Sequence, residues 1–349
     1  MAYTTINKST AHFNTKLHSG TGSTTTITGV GFQPDWTWFK SRSNANNHAL
    51  YDAVRGASKL IRSNSGTAEQ TNTALSAFTS DGVTLTGGDS FTNASGYTYA
   101  SWNWKAGGGQ GSSNTDGSIN TTYTSVNTTA GFSISSYTGT GANATVGHGL
   151  GVAPKMIIFK NLNTVTDWDV YHGSLANTER LHLNAGDAKN TAAQAFNSTS
   201  PTTSVFSVGT ADNTNKSSSP MIAYCFADVQ GYSKFGSYTG NGNANGTFVY
   251  TGFKPAFVIT KRTDGTSPWQ LKDSVRATAS DYPQTPPVLE PNTSNSEATV
   301  GGWNFDFLSN GFKQRETNAN VNGSGGTYIY MAFAAAPLVG TNNVPCTAR

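Results

Sequence analysis

Gly31-Phe32-Gln33-Pro34-Asp35-Trp36-Thr37-Trp38-Phe39-Lys40 has two counterparts further along the chain. They are Gly151-Val152-Ala153-Pro154-Lys155-Met156-Ile157-Ile158-Phe159-Lys160 and Gly252-Phe253-Lys254-Pro255-Ala256-Phe257-Val258-Ile259-Thr260-Lys261. Each is a proline-ended turn that feeds an apolar strand closing on lysine. The runs Met156 to Phe159 and Phe257 to Ile259 are continuously apolar, the pattern of a strand covered on both faces.

Landmarks around this phrase keep step. A Gly-x-Gly turn precedes each proline, beginning at Gly20, Gly139 and Gly240; the steps are 34−20 = 14, 154−139 = 15 and 255−240 = 15. Trp168 and Trp269 lie 14 residues after their prolines (168−154, 269−255). Asp52 and Asp273 lie 18 after theirs, inside Asp52-Ala53-Val54-Arg55 and Asp273-Ser274-Val275-Arg276; His172 takes that place in between (172−154 = 18). Asn64 and Asn184 both lie 30 after (64−34, 184−154). Each stretch closes on an aromatic strand ending at Trp104, Phe226 or Phe333. Self-similarity at a period of roughly a hundred residues predicts three diverged copies of one unit.

Within each copy the strands are short, and several alternate apolar residues with Thr or Ser, as in Phe132-Ser133-Ile134-Ser135. Asp81-Gly82 and Asn310-Gly311 between apolar residues are hairpin signals. The best helix candidates, Asn47 to Leu60 and Thr191 to Phe196, show no sustained 3.6 period. The expected fold is all-β: three tandem β-sandwich repeats, jelly-roll or lectin-like, with little helix. The expected boundaries are 1–108, 131–230 and 231–337. A Gly/Ser/Thr/Asn-rich linker at 109–130 carries one strand near Ile119, and an extended tail follows at 338–349.

Of 349 residues, 12% are charged, about half the usual share, and 38 are glycine. The net charge of +3 is weak and scattered, and no basic run exceeds Lys261-Arg262, which argues against nucleic acid as a partner. Two cysteines, Cys225 and Cys346, cannot make a disulfide scaffold, and Cys225 reads as a small buried residue. The N-terminus lacks the basic and apolar regions of a signal peptide, and no stretch approaches the ~18 apolar residues of a membrane span.

Nothing in the sequence assembles a reaction. There is no Gly-x-Ser-x-Gly elbow and no phosphate loop after Gly107-Gly108-Gly109-Gln110-Gly111. None of His12, His18, His48, His148, His172 and His182 recurs in all three copies. His172 and His182 could meet in space, but two histidines do not make a metal site. The Asn241 to Gly246 loop lacks the carboxylates of a calcium site. Asp52/Arg55 and Asp273/Arg276 read as ion-pair clamps. Most of the seven tryptophans belong in a core, with one or two at loop ends able to stack on sugars. The expectation is a protein that is not an enzyme and needs neither cofactor nor metal. Its informative residues are the scaffold positions Gly20, Pro34, Asp52, Arg55, Gly139, Pro154, His172, Gly240, Pro255, Asp273 and Arg276.

The phrase from Gly31 to Arg42, then Leu50-Tyr51-Asp52-Ala53-Val54-Arg55-Gly56 and Phe78-Thr79-Ser80-Asp81-Gly82-Val83, resembles a family of uncharacterised virion structural proteins of marine tailed bacteriophages. The ending Met331-Ala332-Phe333-Ala334 and the tail to Arg349 are also similar, so the likeness spans nearly the whole chain. The resemblance implies a virion component assembled in the host cytoplasm: a tail fibre, a receptor-binding protein, or a capsid decoration or head-fibre protein. It carries over no catalytic or ligand residues. The partners it implies are other virion proteins, further copies of the chain (a trimer first) and a host-surface glycan or receptor. A carbohydrate-binding or polysaccharide-cleaving module is the competing expectation.

Overall fold

The proline-led strands Trp36–Ser41, Met156–Asn161 and Lys254–Arg262 each sit inside an antiparallel sheet of one recurring order. The computed structural model describes residues 4–277, 287–298 and 304–336. In the first sheet the order is Phe13–Ser19, Thr98–Trp104, Trp36–Ser41, Ala49–Asp52. In the second it is Phe132–Thr138, Pro220–Phe226, Met156–Asn161, Asp169–His172, extended at both edges to seven strands. In the third it is Ser233–Thr239, Thr327–Ala336, Lys254–Arg262, Gln270–Asp273. The aromatic closing strand is therefore central each time, bonded to the strand that opens the unit and to the proline-led strand.

Successive residues of a strand point to opposite faces, so a strand that is apolar throughout must be covered twice. One cover is a smaller layer. Thr25–Ile27, Gly82–Leu85 and Leu75–Thr79 form it over the first sheet, and Phe39, Tyr51, Val83 and Leu85 pack between the two layers. Ala144–Gly147 with Val205–Val208 cover the second, burying Ile157, Phe159, Val146 and Phe206. Phe248–Tyr250, Gly311–Gln314 and Phe305–Leu308 cover the third, burying Val258, Tyr330, Val249 and Phe312.

The other cover is shared. The remaining faces of the three large sheets meet in one cluster that includes Trp36, Trp38, Trp102 and Trp104, then Ile158, Tyr224 and Phe226, then Phe257, Ile259 and Phe333. Rings bridge all three sheets. Trp36 stacks on Tyr224 at 4.5 Å, Phe13 stacks on Phe333 at 5.0 Å, and Trp104 meets the edge of Phe257 at 5.6 Å. Each fully buried large side chain contributes about 1.5–3 kcal/mol, so this cluster is the main cohesive element.

The fold is all-β, as the alternation and turns predict. Hairpins close at the expected sites, pairing Thr79 with Gly82 and Leu308 with Gly311. Six tryptophans are at most 1% exposed. Trp303, Cys346 and residues 337–349 lie outside the described residues. Cys225 is fully buried, and burial pushes its thiol pKa up.

Two expectations need correction. Asn47 to Leu60 is not helical: it holds the strands Ala49–Asp52 and Lys59–Leu60 joined by a turn. The reason is its period of two, since Leu50 enters the shared cluster while Tyr51 faces the smaller layer. Thr191 to Phe196 does hold a short helix, Ala193–Phe196. The expected linker is also tied down. Ile119 makes a single parallel bridge to Val146, and the longer strand Tyr123–Asn127 extends the second sheet. The backbone leading into the linker wraps Asp35, whose carboxylate accepts from the N–H groups of Ala106, Gly108 and Gly109 at 2.7–2.9 Å.

Candidate functional site

The scaffold positions singled out by the sequence fall into two places: turn anchors at the ends of the sheets and seams between them. Pro34, Pro154 and Pro255 are all buried at the start of their strands. Gly20, Gly139 and Gly240 are glycine because of a close approach. A Cβ there would strike the carbonyl oxygens of Ala94, Lys216 and Gly323 respectively. Each packs against the neighbourhood of a fully buried asparagine.

These asparagines were missed in the sequence. Asn93, Asn215 and Asn322 are completely buried. Each side-chain oxygen accepts from the backbone N–H of the middle residue of the Gly-x-Gly turn, at Thr21, Thr140 and Asn241, over 2.8–3.0 Å. Each amide group donates to two carbonyls on either side. A signal existed, because each lies 11 residues before the last aromatic of its closing strand (104−93, 226−215, 333−322).

The seams are cyclic. Lys40, Lys160 and Lys261, each six residues after its proline, are at most 1% exposed. Each ammonium donates to carbonyls of its own unit and of one neighbour. Lys40 reaches Ser294 in the third unit at 3.3 Å, Lys160 reaches Gly66 in the first at 3.0 Å, and Lys261 reaches Gly186 in the second at 3.3 Å. Burial pulls all three pKa values down to about 8. A second contact follows the same cycle. Trp168 Nε1 donates to the Arg62 carbonyl at 2.9 Å and Trp269 Nε1 to the His182 carbonyl at 2.8 Å. In the first unit the residue 14 after the proline is His48 (48−34 = 14). Its Nδ1 accepts from Trp38 Nε1 at 2.7 Å, which leaves Nε2–H to donate to the Glu290 carbonyl at 3.0 Å.

Asp52 and Asp273 form the third kind of seam contact. Asp52 pairs with Arg55 at 2.6 Å, Arg55 reaches Glu69 at 3.2 Å, and Tyr224 from the second unit donates its hydroxyl to Asp52 at 2.6 Å. Asp273 pairs with Arg276 at 2.6 Å, Arg276 reaches Glu297 at 3.2 Å, and Trp102 from the first unit donates to Asp273 at 2.9 Å. Glu297 in turn takes a two-pronged bond from Arg42, at 2.7 and 2.9 Å.

His172 breaks this pattern for a physical reason. Trp102, Tyr224 and Met331 hold the same register, opposite Trp38, Ile158 and Ile259. Tryptophan and tyrosine donate a hydrogen bond; methionine has no donor. A buried carboxylate at 172 would lack the partner that the other two have, and an uncompensated buried charge is costly. His172 is neutral instead, its pKa pulled by burial to about 4, with Nε2 3.3 Å from the Tyr330 carbonyl.

The remaining titratable cluster is also bonded inward. His182 Nδ1 lies 3.0 Å from Asp187 Oδ2, and Asp169 is held by Arg180 and Asn213 at 2.8 Å each. His172 and His182 do not converge: the register sets His182 opposite Asp169 and His172 opposite Met156. Among the described residues no group of three or more His, Cys, Asp or Glu side chains is placed to hold a metal ion. The Asn241 to Asn245 loop uses its side chains on its own backbone N–H groups.

Residues 8–337 match a family described as a domain of unknown function, DUF7483. No curated protein and no solved structure matches the chain.

Proposed function

The chain belongs to the DUF7483 family, and we propose that it is a structural component of a tailed-phage virion. It acts by binding and assembly, as a tail-fibre or tail-associated receptor-binding protein. The observation that carries this reading is where the polar groups go. The lysines, the aspartates of the Asp/Arg pairs and the buried tryptophan and histidine rings are bonded across seams, so they tie the three sheets to one another. A particle surface needs that rigidity; an active site needs some of those groups left free to react. The likeness of the Gly31 to Gly56 phrases to phage virion proteins points the same way.

We also read the three units as diverged copies of one, fused so that a single chain encloses the interior that a trimer of single units would share. The common strand order and the seam bonds at equal distances from each proline support this. The test of location is gold-labelled antibody against the chain on intact particles. Label on the tail is the expected result, label on the capsid surface makes the chain a decoration protein, and unlabelled particles overturn the proposal.

A further inference from the structure

The edge strand Phe248–Tyr250 presents two exposed aromatic side chains around a buried Val249. Tyr250 is 62% exposed and Phe248 44%. Alternate residues of a strand share a face, so the two rings point outward together. Nothing in the fold asks for them. In the first unit the residues flanking the matching buried Ile27 are the exposed Thr26 and Thr28. The scaffold is satisfied by threonine there, so the aromatics answer to something outside it.

Beside Tyr250 lies an open concavity of ≈ 500 Å³, within the roughly 300–1,000 Å³ of small-ligand sites. Its rim carries Asp228, Gln230, Ser233 and Lys234. Asp228 is already oriented, because one carboxylate oxygen accepts from the Phe235 N–H at 2.8 Å and the other lies 3.6 Å from Lys234 Nζ. Gln230 is exposed and offers both a donor and an acceptor. One acid, one base and one amide beside an exposed ring leave no net charge to select an ion. They suit a neutral ligand that has an apolar face and many hydroxyls. A pyranose ring is such a ligand: its C–H face meets the electron-rich face of an aromatic ring while its hydroxyls bond to carboxylate, ammonium and amide.

We infer that Tyr250, Asp228, Gln230 and Lys234 form a binding site for a neutral pyranose, the terminal or internal sugar of a glycan. The inference stands on surface chemistry and is independent of where the chain sits on a particle. Labelled particles without sugar binding defeat this site alone, and sugar binding without labelled particles defeats the particle reading alone.

The test titrates the full chain with the methyl glycosides of glucose, galactose, mannose and N-acetylglucosamine, each up to about 50 mM, and follows backbone amide shifts. The expected result is a saturable shift of Gln230, Gly231, Lys234 and Thr251 with at least one probe. Tyr250→Ala should weaken it at least about tenfold with the melting temperature unchanged, and Tyr250→Phe should retain it, since the ring remains. No saturable shift with any probe, or unchanged binding by Tyr250→Ala, overturns the site.

Discussion

At the position 18 residues after the proline, two seams of this molecule carry an Asp/Arg ion pair and the third a neutral histidine. Where the first unit meets the third, Trp102, Asp273, Arg276, Glu297 and Arg42 form one continuous network. Where the second meets the first, Tyr224, Asp52, Arg55 and Glu69 repeat it. Where the third meets the second, Met331, His172, Leu175 and Lys189 stand at the corresponding steps from their prolines or closing strands, and His172 faces a carbonyl. The difference teaches that the buried charge depends on a donor from the neighbour. Take away the donor, and the acid, the arginine and the second acid go with it.

This contrast can be broken by substitution. Arg276→Ala leaves the fully buried Asp273 without its counter-charge, while Glu297 keeps Arg42, and urea unfolding should show a loss of roughly 3–5 kcal/mol. His172→Ala, at the neutral seam, should cost only about 1–2 kcal/mol, the scale of one modest hydrogen bond and some packing. Equal losses would dissolve the distinction between the seams.

It can also be sharpened. His172→Asp alone places a carboxylate where no donor from the neighbouring unit waits, with an expected loss of about 2–4 kcal/mol at pH 7. Adding Met331→Tyr supplies the hydroxyl that Tyr224 provides elsewhere. The double variant should recover at least about 1 kcal/mol relative to the sum of the single changes. Strict additivity would mean that the donor rule is wrong.

Acid should strike the neutral seam. His172 has a folded pKa of about 4 against an ordinary 6.5, so the unfolded chain binds its proton first. Stability from this group is present above pH 6.5 and is lost as pH falls from 6.5 towards 4, by up to about 3 kcal/mol. His172→Gln should flatten that part of the stability–pH curve, although His48, also held well below its ordinary pKa by burial, keeps a share of the slope. An unchanged curve would remove His172 from the account.

Much of this was legible in the sequence because strand and turn chemistry is local. Pro34, Pro154 and Pro255 announce their strands, and Asp81-Gly82 and Asn310-Gly311 their hairpins, through constraints that act within a few residues. The Asp-x-Val-Arg phrase announced its ion pairs because a three-residue step closes one. The seams were not legible. Lys40 was visible only as the end of a strand, since its partner Ser294 is 254 residues away and offers a backbone carbonyl, which any residue has. His48 was hidden for the same reason, standing where the other units have tryptophan yet making the equivalent bond. Asn93, Asn215 and Asn322 were hidden among many asparagines of ordinary turns. Tyr250 looked like any strand aromatic until the structure turned it outward.

The central claim is that residues recurring at fixed steps from the prolines and from the closing aromatics hold the units to one another. A double-mutant cycle of Trp102→Phe and Asp273→Asn, read by urea unfolding, tests it across a single seam bond of 2.9 Å. The account predicts a coupling energy of about 1.5–3 kcal/mol, the range for a hydrogen bond to a charged group. A coupling indistinguishable from zero would contradict it.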